Sequence, residues 1–285
     1  MRRRPFGKLL PSAHAVDREF RVIAALGKQN FPVAKAYALC TDDGVIGSAF
    51  YIMSMEEGRV FWNPTLPGQP ADARRKIFTS KIETLARLHM LDPEKIGLGD
   101  FGKPGNYFAR QVDRWTKQYR ASETQNIEEF EKLAEWLPKT VPEHRRVSIA
   151  HGDYRLDNMI FHPSEPRVQA VLDWELSTLG DPMADFTYLL MQWTMPGLAG
   201  VDLKTINIPS MEETAQIYGN VTGTAVPDLN WYFAYNLFRL AGIAQGIAGR
   251  MRDGTAANAK AIESAKRTVP LSKTAWEYAQ KAGAT

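Results

Sequence analysis

Between residues 12 and 26, SAHAVDREFRVIAAL, the positions Ala15, Val16, Phe20, Val22, Ile23 and Leu26 fall on one side of a 3.6-residue period. That spacing predicts an amphipathic helix, with Ser12 placed to cap it. Glu19 projects into the middle of the apolar stripe. A carboxylate there is costly unless a cation or a donor meets it, so a specific partner is expected; the alternative is a side chain that reaches out to solvent. The β-branched and aromatic run VIGSAFYIMSM, from Val45 to Met55, predicts a strand running into EEGRVF. NPTLPGQP, residues 63–70, reads as a Pro/Gly linker. Beyond it Ile77, Phe78, Ile82, Leu85 and Leu88 predict a long helix. Two more are expected across 106–120 and 127–137, ended by Pro138 and Pro142.

The pattern then changes. RVSIA, NMIFHP and VQAVLDW are short apolar runs, and the last two, separated by SEPR, predict a small β-hairpin with a polar cluster at its base. After LGDP helical periodicity returns over 183–193, 211–221, 230–250 and roughly 256–281. No internal repeat or low-complexity tract interrupts this order. The chain reads as α+β: a small helix-and-strand piece, a linker, and a mostly helical body with an embedded hairpin.

With 285 residues, 44% hydrophobic and 24% charged, the chain can build one large core or two unequal lobes. A net charge of +3, with no Lys/Arg tract interleaved with aromatics, argues against a nucleic-acid partner. No stretch reaches the length of a membrane span, and MRRRPFGKLLPSAHA lacks the apolar core of a secretory signal, so no membrane partner is expected. Cys40 is the single cysteine, which excludes an internal disulfide or a multi-cysteine metal site and leads to a cytoplasmic expectation.

The candidate chemistry lies in HGDYRLDNMIFHP, residues 151–163, and in AVLDWE from Ala170. Asp153 and Asn158 are five apart, and Asp173 is fifteen beyond Asn158, at the far end of the expected hairpin. Three oxygen-bearing side chains thus come to one end of two adjacent strands. Hard oxygen ligands suit Mg²⁺, and a phosphorylated ligand would complete its octahedron. Phosphoryl transfer needs phosphates positioned, their charge neutralised and an acceptor hydroxyl oriented by a base. An Asp and an Asn five residues apart, followed by an Asp on the next turn, is the spacing of a kinase catalytic loop, and solvated turn acids would have no reason to share it. On residue type alone, His151 beside these acids is an acid/base candidate. A metal-dependent hydrolase using the same acids would need a second His or carboxylate cluster, which the sequence does not offer.

HGDYRLDNMIF with VLDWELSTLGDPMADF, together with PFGKLLPSAHAVDREFRV, FYIMSMEEGRVF and LARLH, resembles the aminoglycoside phosphotransferase superfamily, a relative of the protein kinases. The resemblance is closest to a branch of stand-alone bacterial phosphotransferases and of kinase-like domains fused to acyl-CoA dehydrogenases. It covers about Arg2 to Trp193 well and the later helices loosely. It implies a two-lobed, protein kinase-like fold. Residues 1–58 would form an incomplete small lobe (end of the third strand, helix C, hinge strand), and 59–285 a helical lobe with the catalytic loop and the substrate-binding helices. Position by position, it implies Asp153 as the base for the acceptor hydroxyl, Asn158 and Asp173 as Mg²⁺ ligands, and His151 as a brace for the loop. Arg155 would contact the transferring phosphate, unless it is a surface Arg. Glu175 would support the site. Asp185 would hold the catalytic loop from the following helix, unless it is a plain first-turn acid. Glu19 matches the helix-C Glu that pairs with a strand cation at the nucleotide phosphates, and Arg2 falls near that cation. Ser54 and Glu56 would lie on the hinge that receives the base of ATP or GTP.

The family normally begins with two strands and a phosphate-covering loop, whereas this sequence opens inside or just before the end of the third strand. Arg2 is therefore expected to lack a supporting strand, no Gly-rich loop covers the phosphates, and a sheet edge is expected to lie exposed. Two readings follow: Mg²⁺-dependent transfer from a nucleoside triphosphate to a small-molecule hydroxyl, or a catalytically impaired kinase-like binding module. From Met191 to Thr285 nine Lys/Arg stand against seven Asp/Glu, a net +2, where a polycationic aminoglycoside would call for an acidic pocket. Trp193, Trp231, Tyr232, Phe233 and Tyr235, with basic neighbours, would suit a neutral or anionic hydroxyl compound such as a hydroxyacyl-CoA; as ordinary helix core they need no ligand.

Overall fold

The computed structural model describes residues 1–5, 15–103, 105, 107–143, 146–195, 198–255 and 259–285. The expected cap at Ser12 lies outside them. The first elements are β1 (Arg2–Arg3), α1 (Val16–Gly27), β2 (Ala36–Cys40), α2 (Asp43–Ile46) and β3 (Phe50–Met53). They form an antiparallel three-stranded sheet in the order β1-β3-β2. Its inner face is closed by α1, whose Val22, Ile23 and Leu26 are buried as the 3.6 period requires.

Two expectations are corrected in this piece. The strand foreseen from Val45 is only Phe50–Met53, because the Asp42 carboxylate accepts the Gly44 N–H (2.8 Å) and starts a helical turn, which Gly47 ends at φ 82°. And Arg2 does have a supporting strand. Arg2 and Arg3 pair with Tyr51 and Phe50, and the Arg4 N–H adds a bond to the Ala49 carbonyl (2.9 Å). β3 presents the free backbone groups of its edge, and even a short segment satisfies them.

After the linker come α3 (Ala71–Met90), α4 (Tyr107–Ala121), α5 (Glu128–Trp136) and β4 (Ser148–Ala150). β5 (Met159–Phe161) and β6 (Val168–Val171) form the expected antiparallel hairpin, and β7 (Thr178–Gly180) pairs with β4. α6 (Pro182–Leu190) starts where Asp181 caps Met183 N (2.8 Å) and Pro182 takes the first helical position, where no N–H is needed. α7 (Met211–Thr222) opens with a reciprocal Ser210/Glu213 capping box. α8 (Asn230–Arg252) follows, then α9 (Ala259–Ala265) and α10 (Thr268–Lys281). The single helix expected over 256–281 is thus two. Pro270 has no N–H to give and its ring crowds the carbonyl four residues back, so it is tolerated only in a first turn and the helix restarts at Thr268.

The residues group into two compact units, Met1–Lys103 with Val147–Val226, and Pro104–Arg146 with Pro227–Thr285. The first holds the small sheet, α1, α3, the β5–β6 hairpin, the β4–β7 pair, α6 and α7. The second is helical. Its core stacks Phe130 between Tyr119 and Phe238, at 3.7 and 4.4 Å between ring centroids. Trp231, Tyr232, Phe233 and Tyr235 are all buried there, as core packing would have them. No helix among the described residues is long and apolar enough to cross a membrane.

Candidate active site

β4 delivers the chain into His151-Gly152-Asp153. Gly152 has φ 84°, and a Cβ there would sit 2.9 Å from the Leu176 carbonyl oxygen, so only glycine fits. The loop is held from α6 by Asp185, whose carboxylate accepts the backbone N–H groups of His151 and of Gly152 (2.9 Å). Burial alone would raise the Asp185 pKa. The His89 ring, with its Nε2 at 3.7 Å, and the Gly152 N–H outweigh burial and hold it below the usual range. His151 is fully buried with both ring nitrogens engaged. Nε2 donates to the Leu172 carbonyl (2.8 Å) and Nδ1 accepts the Asp153 N–H (3.2 Å). Burial pushes its pKa down, so the ring is neutral and has no nitrogen left to exchange a proton.

Asp153 is only half-buried, and its carboxylate is fixed at both oxygens: Tyr188 OH donates to Oδ1 (2.8 Å) and Asn158 Nδ2 to Oδ2 (2.9 Å). The same Nδ2 reaches the Asp153 carbonyl (2.9 Å), which turns the amide oxygen of Asn158 away from the loop. The Leu172 N–H donates to the Asn158 carbonyl (2.9 Å), tying the loop to the end of β6. One residue on, Asp173 holds the left-handed backbone conformation (φ 62°, ψ 61°), a costly geometry for a side-chain-bearing residue and typical of functional positions.

On the small sheet, Arg2 Nε bonds Glu19 Oε2 (2.7 Å), and its Nη2 lies 3.4 Å from Asp173 and 3.3 Å from Glu175. Tyr51 OH donates to the same Glu19 oxygen (3.0 Å), while Oε1 is buried without a hydrogen-bond partner among the described residues. Burial therefore raises the Glu19 pKa more than Arg2 and Tyr51 lower it. Arg2, Tyr51 and Met53 line one side of a cleft of about 290 Å³, and Asn158, Leu172 and Asp173 the other.

The remaining expected residues lie around this centre. Ser54 follows β3, but its N–H is spent on the Lys35 carbonyl (2.9 Å) and its hydroxyl donates to Glu56. The Arg155 guanidinium is clamped by Asp157 through two bonds, Nε at 3.0 Å and Nη2. Arg155 and Asp157 thereby hold each other charged, the Arg pKa raised and the Asp pKa lowered despite its burial. Three contributors escaped the sequence reading. Tyr188 stands one helical turn after Asp185, a spacing that would have placed both on one face of α6. Lys81 is a fully buried amine that donates to Gln192, and burial pulls its pKa down to about 7. No local pattern marks Lys81 or Gln192, which are 111 residues apart, and only a packed structure shows that they meet.

Among the described residues no group of three or more His, Cys, Asp or Glu side chains is arranged to hold a metal unaided. That does not exclude Mg²⁺, which keeps waters and binds through one or two protein oxygens plus substrate phosphates. The donor set fits such an ion. Asn158 and Asp173 border one cleft, and the Asp173 and Glu175 carboxylates lie side by side against the Arg2 guanidinium, an oxygen-rich lining of the kind a hard cation takes.

Positioning and charge neutralisation are what phosphoryl transfer asks of a protein, and a braced carboxylate beside an oxygen-lined cleft under a small sheet offers both. The class so defined is a kinase-like small-molecule phosphotransferase. The sequence profile of the Phosphotransferase enzyme family (APH) matches residues 1–214, and the chain belongs to that family. Mouse acyl-CoA dehydrogenase family member 10 is 42% identical over 291 residues, 99% of this chain and 27% of that protein, so the chain spans about a quarter of that relative's length. A Ralstonia eutropha crystal structure carrying an aminoglycoside phosphotransferase assignment is 49% identical, with a TM-score of 0.91 over 95% of this chain and 84% of that one. An aminoglycoside phosphotransferase of Streptomyces rimosus in complex with ADP and streptomycin shares the fold at 18% identity, TM-score 0.55, over 82% of this chain and 83% of that one.

Proposed function

We propose that this chain transfers the terminal phosphoryl group of ATP or GTP, as the Mg²⁺ complex, to a hydroxyl of a small molecule. The observation that carries the reading is Asp153, a carboxylate fixed by Tyr188 and by the same Asn158 that lines the cleft with Asp173. Asp153 orients the acceptor hydroxyl and takes its proton as the new P–O bond forms. Asn158 and Asp173 would hold the metal, which when bound neutralises phosphate charge. Arg2, held by Glu19, contacts the phosphates, and Arg155 offers its outer face to the group in transit. Because the Ser54 N–H is already engaged, the hinge presents the backbone that follows it, up to Glu56, to the base. Residues 1–58 act as the nucleotide-side lobe and 59–285 as the acceptor-side lobe.

The acceptor is neutral or anionic, as the net +2 of the segment from Met191 onward favours. Likeness to acyl-CoA dehydrogenase family members supports a hydroxyacyl-CoA-type compound over an aminoglycoside, and the single cysteine supports a cytoplasmic setting. The test is a coupled ADP-release assay over hydroxyacyl-CoAs, sugars and aminoglycosides, with Asp153→Asn as control. The variant should lose two or more orders of magnitude in kcat while binding Mg·ADP within about two-fold of wild type. Unchanged turnover removes Asp153 as the base. Nucleotide binding with no transfer to any acceptor by the unaltered chain would favour a binding module.

A further inference from the structure

Glu19 meets Arg2 only if α1 sits at the right height over the cleft, and Arg18, its neighbour, is where α1 is tied down. Arg18 Nη2 donates to the Phe101 carbonyl (2.7 Å) and approaches the Ser177 carbonyl (3.4 Å), while its guanidinium lies over the Phe101 ring, 4.3 Å from the centroid. Phe101 and Ser177 are both buried, so neither anchor is a mobile surface group. Ser177 lies four residues after Asp173 and two after Glu175. Gly102 packs so tightly that a Cβ would meet Thr178 Oγ1 at 2.5 Å and Leu179 N at 2.7 Å, which locks the 97–102 loop against β7. Arg18 therefore joins three things: the helix carrying Glu19, a rigid loop, and the segment carrying the two other carboxylates around Arg2. Arg21, one turn along, also reaches this loop, bonding Asp100 and the Gly97 carbonyl (2.9 Å), but at the exposed surface.

Resting on the phosphotransferase reading above, we infer that Arg18 is a positioning residue for nucleotide binding, setting α1 so that Glu19 holds Arg2 between Asp173 and Glu175. Arg18 touches no substrate. A guanidinium is suited to this because its planar face stacks on the ring while its edge bonds carbonyls, which an ammonium cannot do together.

The experiment is calorimetric titration of Mg·ADP into the full chain and its variants, beside thermal melts. Arg18→Gln should weaken binding about ten-fold, whereas Arg21→Gln, which unlinks the same helix from the same loop at the surface, should stay within about two-fold. Phe101→Leu keeps the apolar volume and the carbonyl but removes the π face, and should weaken binding about three-fold; it supplies the test if Arg18→Gln does not fold. In an Arg2→Met background Arg18→Gln should add little, because its action runs through Arg2. Wild-type affinity in Arg18→Gln or Phe101→Leu, equal losses in the Arg18 and Arg21 variants, or full additivity with Arg2→Met overturns the inference alone. Failure of the unaltered chain to bind Mg·ADP overturns the nucleotide reading and this inference with it.

Discussion

Lys81→Met removes a titratable amine from one of the most enclosed places in the chain, and its consequence is a change of slope with pH. The Lys81 amine is fully buried, donates to Gln192, and has its pKa pulled from 10.5 to about 7, chiefly by burial, with Asp157 opposing and Arg155 adding to the effect. Between those two values the unfolded chain carries a proton on this lysine that the folded chain does not. Stability then rises with pH by up to about 1.4 kcal/mol per unit, or roughly 2 kcal/mol from pH 7 to pH 9, since the slope is only half its maximum at the folded value. Below the folded value both states are protonated and this contribution is flat. Urea unfolding followed by fluorescence at pH 7, 8 and 9 should show the midpoint climbing, by about 0.7 M overall if the dependence on urea is near 3 kcal/mol per M. Stopping at pH 9 keeps out Tyr51 and Tyr154, whose pKa values burial raises. Lys81→Met should abolish the climb. Gln192 loses its donor in the variant, a cost of about 1–3 kcal/mol that offsets the curve without tilting it. A wild type with no rise, or a variant that keeps it, would refute the claim that this amine is held neutral.

Three further outcomes are expected. Glu19→Gln should weaken Mg·ADP binding about ten-fold in calorimetry, since Arg2 is then left to Asp173 and Glu175. Its stability at pH 7 should change by no more than about 1 kcal/mol, because relief of the buried carboxylate offsets the lost ion pair. Tyr188→Phe should lower kcat by about ten-fold in the ADP-release assay with the nucleotide KM unchanged, since Asp153 loses the donor at Oδ1 while Asn158 stays in place. Gly152→Ala forces a Cβ against the Leu176 carbonyl at a left-handed φ, and should cost at least about 2 kcal/mol in unfolding experiments and abolish transfer.

Much of the candidate site's geometry was legible in the sequence because its elements are local. Asp153 and Asn158 share one loop, the β5–β6 hairpin returns the chain to Asp173 within fifteen residues, and Asp185 opens the next helix, so short-range spacing alone brings these groups together. The stripe of α1 likewise showed that Glu19 needed a partner, because an apolar period with one carboxylate in it is a local contradiction. Which partner it finds was not local. Arg2 reaches Glu19 through pairing with β3, and two residues carry no propensity strong enough to announce a strand; the free edge of β3 makes them one. β2 went unforeseen for a similar reason, as its exposed middle residues lack the alternation that marks a half-buried strand. Tyr188 on Asp153, Lys81 with Gln192 and Arg18 over Phe101 also depend on the fold. The sequence by itself determined most of the long helices, the β5–β6 hairpin and the grouping of the candidate site residues in one loop, since hydrophobic period and turn chemistry act over a few residues. Only the tertiary structure decided which buried charge meets which partner, because that depends on backbone pairings and packing distances between segments up to about 170 residues apart, where no local period reaches.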